Sequence, residues 1–346
     1  MRKIKIAQIG IGHDHANGIY PGILALPELF EVVGFAVPPE EKGRFPEKYA
    51  GKWYQTTREM TVEEILNDPT IEAVTVETEE VLLSKYALLA FEHGKHIHMD
   101  KPGGIVPEDF KKMLQTAKAK GLVFHQGYMY RYNPYVIEIM EQIKNGEFGQ
   151  IFSVETHMDC THTPEKRQWL DQFPGGMLFF LGCHLIDLIV QICGVPENII
   201  PLSCCTGLEG VTAQDYGMAV LQYKNGVSFA KTCARELGGY NRRQLVITGE
   251  KKSVELKPFE MFGEKNLYTD RVEYTDLETS IKNWGYKGTA SHSPEYDRYE
   301  AMMSGFAAMV RGEKETPWTY DYEWQLYRIL LRCCGVEIDY KTPEIL

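Results

Sequence analysis

The stretch IKIAQIGIGHDHA, residues 4–16, decides the fold. An apolar run from Ile4 to Ile9 meets two glycines, Gly10 and Gly12, and then a segment that reads as a helix start. Ile4 and Ile6 followed by the run 7–9 suit a central strand of a parallel sheet. Glycines directly after such a strand let the backbone turn tightly and approach a pyrophosphate, and the amides of the following helix then face the phosphates. A full dinucleotide fingerprint has a third glycine where His15 stands, with Ala16 the nearest small residue. An ordinary tight turn can also carry two glycines, so the strands and motifs of the remaining chain must decide between them.

A chain of 346 residues suggests two domains, each able to bury its own core. With 48 acidic and 37 basic residues the net charge is −11, which argues against nucleic acid as the main partner. The eight cysteines include two adjacent pairs, 204–205 and 333–334, and follow neither metal spacing nor a small disulfide framework; reduced thiols are expected. No signal-peptide hydrophobic region and no membrane-spanning apolar run is visible. A soluble cytoplasmic protein without a membrane partner is the expectation.

Residues 31–37 form a second apolar strand at βαβ distance from the first, and it ends at Val37-Pro38-Pro39 with no acidic or basic residue to choose the ribose. Glu40, Glu41 and Arg44 lie close enough downstream to reach a ribose, or form a solvated loop. NAD and NADP both stay open, with NAD favoured. A helix is expected from Thr61, a third strand over 73–76 ending in Thr78-Glu79-Glu80, and a helix over 82–93 closed by Gly94. A fourth strand, 95–99, delivers Asp100-Lys101-Pro102-Gly103-Gly104 to the carboxyl edge of the sheet, where open α/β sheets place ligands. A helix over 108–120 and a fifth strand over 122–125 complete a doubly wound domain, residues 1–125.

In this order the chain resembles the glucose-fructose oxidoreductase and inositol dehydrogenase family, Gfo/Idh/MocA, over nearly its full length. The resemblance rests on five matches in sequence: the glycine turn, Lys101-Pro102 in the place of a Glu-Lys-Pro motif, GYMYRYNP at 127–134, GEFGQI at 146–151 and GGMLFFLGCHLID at 175–187. It implies an α/β protein: an N-terminal Rossmann doubly wound parallel sheet, then a C-terminal α+β domain, residues 126–346, with an open, mostly antiparallel sheet. Strand-like runs at 151–157, 217–223, 227–232 and 244–248 agree with that, with Lys224-Asn225-Gly226 as a hairpin turn. Helices are expected over 134–144 and 178–193, a polar irregular segment over 260–289, and a terminal helical part from 293 to 310. Family members commonly pair their sheets face to face, so a homodimer or homotetramer is implied by the resemblance alone.

Hydride transfer to or from a secondary alcohol needs a nicotinamide and a group that handles the hydroxyl proton. His184 is the expected catalytic base, because an imidazole titrates near neutrality and the family places its histidine there. Lys101 is expected to hold or polarise the oxygen. The cofactor set is Gly10, Ile11, Gly12, His13, His15, Val37, Thr78, Glu79, Lys101 and Pro102. Asp187 reads as structural. One position departs from the family: Phe180 stands one helical turn before His184, where sugar dehydrogenases usually carry an aspartate. His157 or Asp159 could replace that acid, and Tyr130, Arg131, Trp169 and Phe180 complete the expected substrate set.

Histidines at 13, 15, 157 and 162 with Asp159 and Cys160 offer zinc-type ligands, but no known spacing, and no metal is expected. The expected function is an NAD(P)-dependent oxidoreductase acting on a secondary hydroxyl, or the matching ketone, of a sugar, polyol or glycoside. Two alternatives stand beside it: an inactive nucleotide- and sugar-sensing regulator, favoured by Phe180, and an enzyme that cleaves glycosides while retaining NAD.

Overall fold

A computed structural model describes residues 2–346. The apolar run becomes strand β1 (Ile4–Ile9), paired in parallel with β2 (Phe30–Ala36) on one side and, after β3 (Glu59–Met60), with β4 (Ala73–Val76) on the other. With β5 (His96–Met99) and β6 (Phe124–Gln126) the order across the sheet is β3-β2-β1-β4-β5-β6, all parallel. Every residue of β4 is buried, as a strand covered on both faces requires. The two-residue edge strand β3 is too short to leave a periodic signal, which is why the sequence shows only five strands. Strand order reverses between β1 and β4, and the chain ends beyond them form the crevice where such sheets bind ligands.

Local chemistry sets the helix boundaries. Thr61 accepts from the Glu64 amide while Glu64 accepts from the Thr61 amide, a capping box that starts the helix Val62–Asn67. Gly121, with φ +62°, closes the helix Pro107–Lys120 in the left-handed conformation. The first helix, Ala16–Leu24, is crossed closely by the helix Arg298–Val310. A Cβ at Gly18 would fall 2.4 Å from the Tyr299 ring, so only glycine admits the approach.

The second sheet has eight strands in the order β16-β15-β12-β11-β7-β10-β9-β8. In chain order they are β7 (Ile151–His157), β8 (Asn198–Pro201), β9 (Tyr216–Tyr223), β10 (Gly226–Cys233), β11 (Gln244–Gly249), β12 (Ser253–Leu256), β15 (Asp270–Tyr274) and β16 (Thr289–His292), with a separate hairpin of β13 (Met261–Phe262) and β14 (Leu267–Tyr268). Only β7 and β10 pair in parallel. Alternate burial along β9, β11 and β12 marks one covered face, on which Leu178 and Gly182 of the helical segment contact β9 and β10.

Several expectations change. The segment 260–289 is not irregular: it holds the small hairpin, β15 and the short helix Leu277–Lys282, whose mixed polar pattern hides them. The expected helix over 178–193 is two, Met177–Phe180 and Gly182–Cys193, offset at Leu181. A last helix, Tyr320–Cys333, lies beyond those expected. By contact the chain forms two compact units, one of residues up to 129 with 298–327 and 344–346, the other of 130–297 with 328–343. This differs from a division at 125/126, because the helices after 297 present apolar residues such as Phe306 and Tyr327 to the first unit, where they meet His125 and Phe110. No helix among the described residues is long and apolar enough to cross a membrane, and no cysteine among them is disulfide-bonded.

Candidate active site

In the first unit the turn after β1 is an anion cradle. Gly10 has φ +94° and lies so close to the chain after β4 that a Cβ would meet the Thr78 nitrogen at 2.5 Å. A Cβ on Gly12 would meet the Glu41 carboxylate and the Glu79 nitrogen. The amides of Ile11 and Gly12 donate to Glu41 Oε2 at 2.9 and 3.1 Å, and the Glu79 amide donates to Oε1 at 2.7 Å. The cradle thus already holds a carboxylate, supplied by the short helical turn after β2. Burial pushes the Glu41 carboxyl up while these three amides pull it down.

Sequence reasoning missed this contact. Glu41 sits four residues past Val37, and only the turn Pro39–Glu41 brings it back to the glycines. Beside it, Val37, Ile11, Phe45 and Tyr49 line a cavity of about 400 Å3 together with Glu41, Lys42 and Glu59. Arg44 pairs with Glu79, and Lys48 donates to the carbonyl oxygen of His13 at 3.0 Å. The structure therefore brings together Gly10, Ile11, Gly12, Val37, Thr78 and Glu79 of the expected cofactor set. A dinucleotide fits the donor chemistry: paired amides suited to an anion, an acid suited to ribose hydroxyls, and an apolar pocket.

Lys101 and Pro102 come after β5, and Lys101 is 1% exposed. His13, His15 and Asp100 cluster here: His15 Nδ1 lies 3.0 Å, and His13 Nδ1 3.3 Å, from Asp100 Oδ2. Burial lowers His13 well below the usual histidine range. Asp100 is held well below the carboxylate range: burial opposes this, but the flanking His13 and His15 outweigh it. Glu77 is raised well above that range by burial and by the charge of Asp100.

In the second unit, His184 lies in the first turn of the helix Gly182–Cys193 and is 1% exposed. The Tyr130 ring meets it edge-on at 5.4 Å. Phe180 stacks parallel to Phe173 and edge-on to Trp169 at 5.2 Å, with Lys166 Nζ 3.6 Å from the Trp169 ring centre. The aromatic wall expected at Phe180 is therefore a packed cluster that includes Trp169.

Arg131 and Asp187 form a buried bidentate pair, 3.0 and 2.7 Å, and Gln191 donates to the same carboxylate at 2.8 Å. This pair fits the structural reading of Asp187 and gives Arg131, expected on substrate, a buried partner within the second unit. Asp159 likewise pairs with Lys231 at 3.0 Å. His157 lies against Phe229, and burial lowers its pKa.

Burial pushes the Asp159 carboxyl up to about 6, with Lys231 pulling the other way. A raised acid contributes stability below its unfolded pKa of about 3.9 and loses it as pH rises through the folded value. The melting temperature of wild type should therefore fall relative to Asp159→Asn between about pH 4 and about pH 7, as measured by thermal melts across that range. A constant difference would contradict the assignment.

Comparison with known proteins agrees with this geometry. Residues 4–128 match the family description "Oxidoreductase family, NAD-binding Rossmann fold", and residues 136–255 match "GFO/IDH/MocA C-terminal domain". Among curated relatives, the scyllo-inositol 2-dehydrogenase (NADP(+)) of Bacillus subtilis is 24% identical over 64% of this chain and 61% of its own length. Mouse trans-1,2-dihydrobenzene-1,2-diol dehydrogenase is 26% identical over 54% of this chain and 56% of its own length. An uncharacterised oxidoreductase of Schizosaccharomyces pombe reaches 29%, and the chain spans 54% of its length. The chain thus spans little more than half of these relatives. Of solved structures, the 3-ketoreductase KijD10 of Actinomadura kijaniata, in complex with NADP and TDP-benzene, shares the fold with a TM-score of 0.75 at 15% identity, covering 95% of this chain and 96% of its own. An oxidoreductase of Thermotoga maritima gives 0.74 at 17%, covering 96% of each. With an anion cradle after β1, a lysine at the end of β5, and both domain patterns matched in order, the chain belongs to the Gfo/Idh/MocA family of oxidoreductases.

Proposed function

We propose that this protein is an NAD(P)-dependent dehydrogenase or reductase acting on a secondary hydroxyl, or the matching ketone, of a sugar, polyol or glycoside. The observation that carries the reading is the amide cradle of Ile11 and Gly12 beside the buried Lys101 at the end of β5. The nicotinamide, when bound, supplies or accepts the hydride. Ile11 and Gly12 would hold the dinucleotide's phosphates once the Glu41 carboxylate turns from their amides toward the ribose. Val37, Phe45 and Tyr49 would wall its adenosine end. His184 takes the hydroxyl proton on an imidazole nitrogen during oxidation and returns it during reduction. Lys101 Nζ supplies a cation suited to negative charge developing on a substrate oxygen.

Glu41 supports NAD over NADP, since a carboxylate accepts from ribose hydroxyls and repels a 2′-phosphate. The homodimer or homotetramer has support of its own: Ile200, Val220 and Phe229 lie side by side across β8, β9 and β10 on the face away from the packed helices, joined by the exposed Val227. The sensing alternative draws on Phe180, which stands where the sugar dehydrogenases carry an aspartate.

The test tracks reduced-nicotinamide absorbance over a panel of inositols, sugars and glycosides with NAD and NADP, in both directions. Turnover with at least one panel member is expected, and Glu41→Ala should shift the NAD/NADP preference about tenfold or more toward NADP. Dinucleotide binding without turnover on any member would overturn the enzyme reading in favour of the sensor. Binding of neither nucleotide would overturn both.

A further inference from the structure

At the floor of the first unit, under the carboxyl ends of β1, β4 and β5, lies a cluster larger than the proposed cofactor site uses. His13 comes after β1, Glu77 and Glu80 after β4, His98 and Asp100 from the end of β5, and His125 from β6. All are at most 2% exposed. Among the described residues, groups spaced to hold a metal ion occur only here: His13, His15 and Asp100, and Glu77, His98 and Asp100, with candidate ligand atoms within 4.8 Å of one another in each. The residues 157, 159, 160 and 162 form no such group.

Polar atoms in this cluster lack partners. No N–H or hydroxyl donates to either carboxylate oxygen of Glu77, whose neighbour at hydrogen-bond range is the Asp100 carboxylate, and Nε2 of His98 has no hydrogen bond. A fully buried carboxylate without a donor costs several kcal/mol unless a proton or a cation neutralises it. A proton shared between Glu77 and Asp100 would answer for one Glu77 oxygen only. His98 Nε2 is 3.7 Å from Glu77 Oε1, too far for a hydrogen bond and aimed at it.

The other ring nitrogen of His98 is already fixed, 2.8 Å from Nδ1 of His125, whose ring stacks on Phe306 at 5.5 Å. An imidazole held by one nitrogen, with the other directed at a carboxylate it cannot reach, is the arrangement of a metal-ligating histidine and its orienting partner. His15 plays the same part for Asp100, contacting both of its oxygens at 3.2 and 3.0 Å. His13 Nδ1 lies 3.3 Å from Asp100 and 3.9 Å from Glu77, and it accepts from the His15 amide at 3.1 Å, a bond it would exchange for the ion. Tetrahedral donors around zinc stand about 3.3 Å apart, so small shifts would close the set.

We propose that this cluster is a binding site for one divalent first-row transition ion, zinc by preference, ligated by His13, Glu77, His98 and Asp100, with His15 and His125 orienting two of the ligands. Two imidazoles and two carboxylates without a thiol favour such an ion over calcium or magnesium, which take oxygen ligands. The ion would fasten the glycine turn to the chain ends beyond β4 and β5. The inference does not rest on the proposed reaction.

The test uses the untagged full chain, purified without chelator, in the absence of nucleotide and sugar. Elemental analysis should find about one ion per chain. After chelator treatment, zinc, manganese and cobalt are titrated by calorimetry with thermal melts, and bound cobalt should show the visible bands of a tetrahedral site. Glu77→Gln and His98→Asn should each weaken zinc binding about tenfold or more, while Glu92→Gln, at an exposed position, leaves it unchanged. If a variant does not fold, the wild-type titration still decides. No binding of any of the three ions by wild type, binding that is unchanged in both variants, or a metal-blind Glu77→Gln more stable than wild type, which would place a proton where the ion is proposed, would each overturn the site.

Discussion

Replacing His184 by alanine is expected to lower turnover about a hundredfold or more, the usual contribution of a positioned general base. Lys101→Ala should cost at least as much, because an uncompensated oxyanion in a buried site is penalised more heavily than a slow proton transfer. The two losses should differ in character. With His184 gone, the pH profile should lose the limb belonging to the base; with Lys101 gone, that limb should remain while the rate falls. Phe180→Asp should not help. Phe180 is 2% exposed within the Trp169 and Phe173 stack, so a carboxylate there loses aromatic packing and is desolvated, a cost that the Lys166 ammonium, 4.8 Å from the Phe180 ring centre, offsets only in part. Initial rates on the best panel substrate, with circular dichroism as a folding control, are the measurement. Turnover undiminished in His184→Ala would refute the base assignment.

The second large effect is expected at the glycine turn. Gly12→Val should weaken dinucleotide binding about tenfold or more, because any Cβ at this position lands on the Glu41 carboxylate and within 2.8 Å of the Glu79 nitrogen. The branched side chain would occupy the space in front of the cradle amides. Titration calorimetry with NAD and NADP checks it, and equal affinities for wild type and variant would sink the assignment. Gly18→Ala makes an internal control: it should reduce stability through Tyr299 while leaving nucleotide affinity largely intact, since its clash is with a helix and not with the cradle.

Legibility in the sequence depends on signal strength. β1, β4 and β5 carry apolar residues at alternate or more frequent positions and are ended by glycine or charge, and these place the glycine turn and Lys101 at strand ends as expected. β3, β8 and β16 are two to four residues long, with no periodicity to read. The site shows the same division. Residues carried by a local motif, such as Gly10, Gly12 and Lys101, could be named from it. The contact of Glu41 with the cradle and the meeting of Glu77 with His98 could not, because they come from nonlocal pairing: a carboxylate folding back 29 positions to the Gly12 amide, and two side chains from neighbouring strands meeting in the interior. Arg131 and Asp159 show the converse. Each has the chemistry to touch a substrate, and each also pairs with a buried opposite charge that local sequence does not reveal.

The close crossing of the helices Ala16–Leu24 and Arg298–Val310 also bears on how the molecule is made. A ribosome working at about 5–20 residues per second delivers the glycine turn first and its covering helix more than 270 residues later. Through that interval the groove at Gly18 and Gly22 faces water, while the intervening second unit can form from a nearly unbroken span of chain. The unit that carries the glycine turn is thus closed only once residues 298–327 have been made, after nearly all of the other unit's chain.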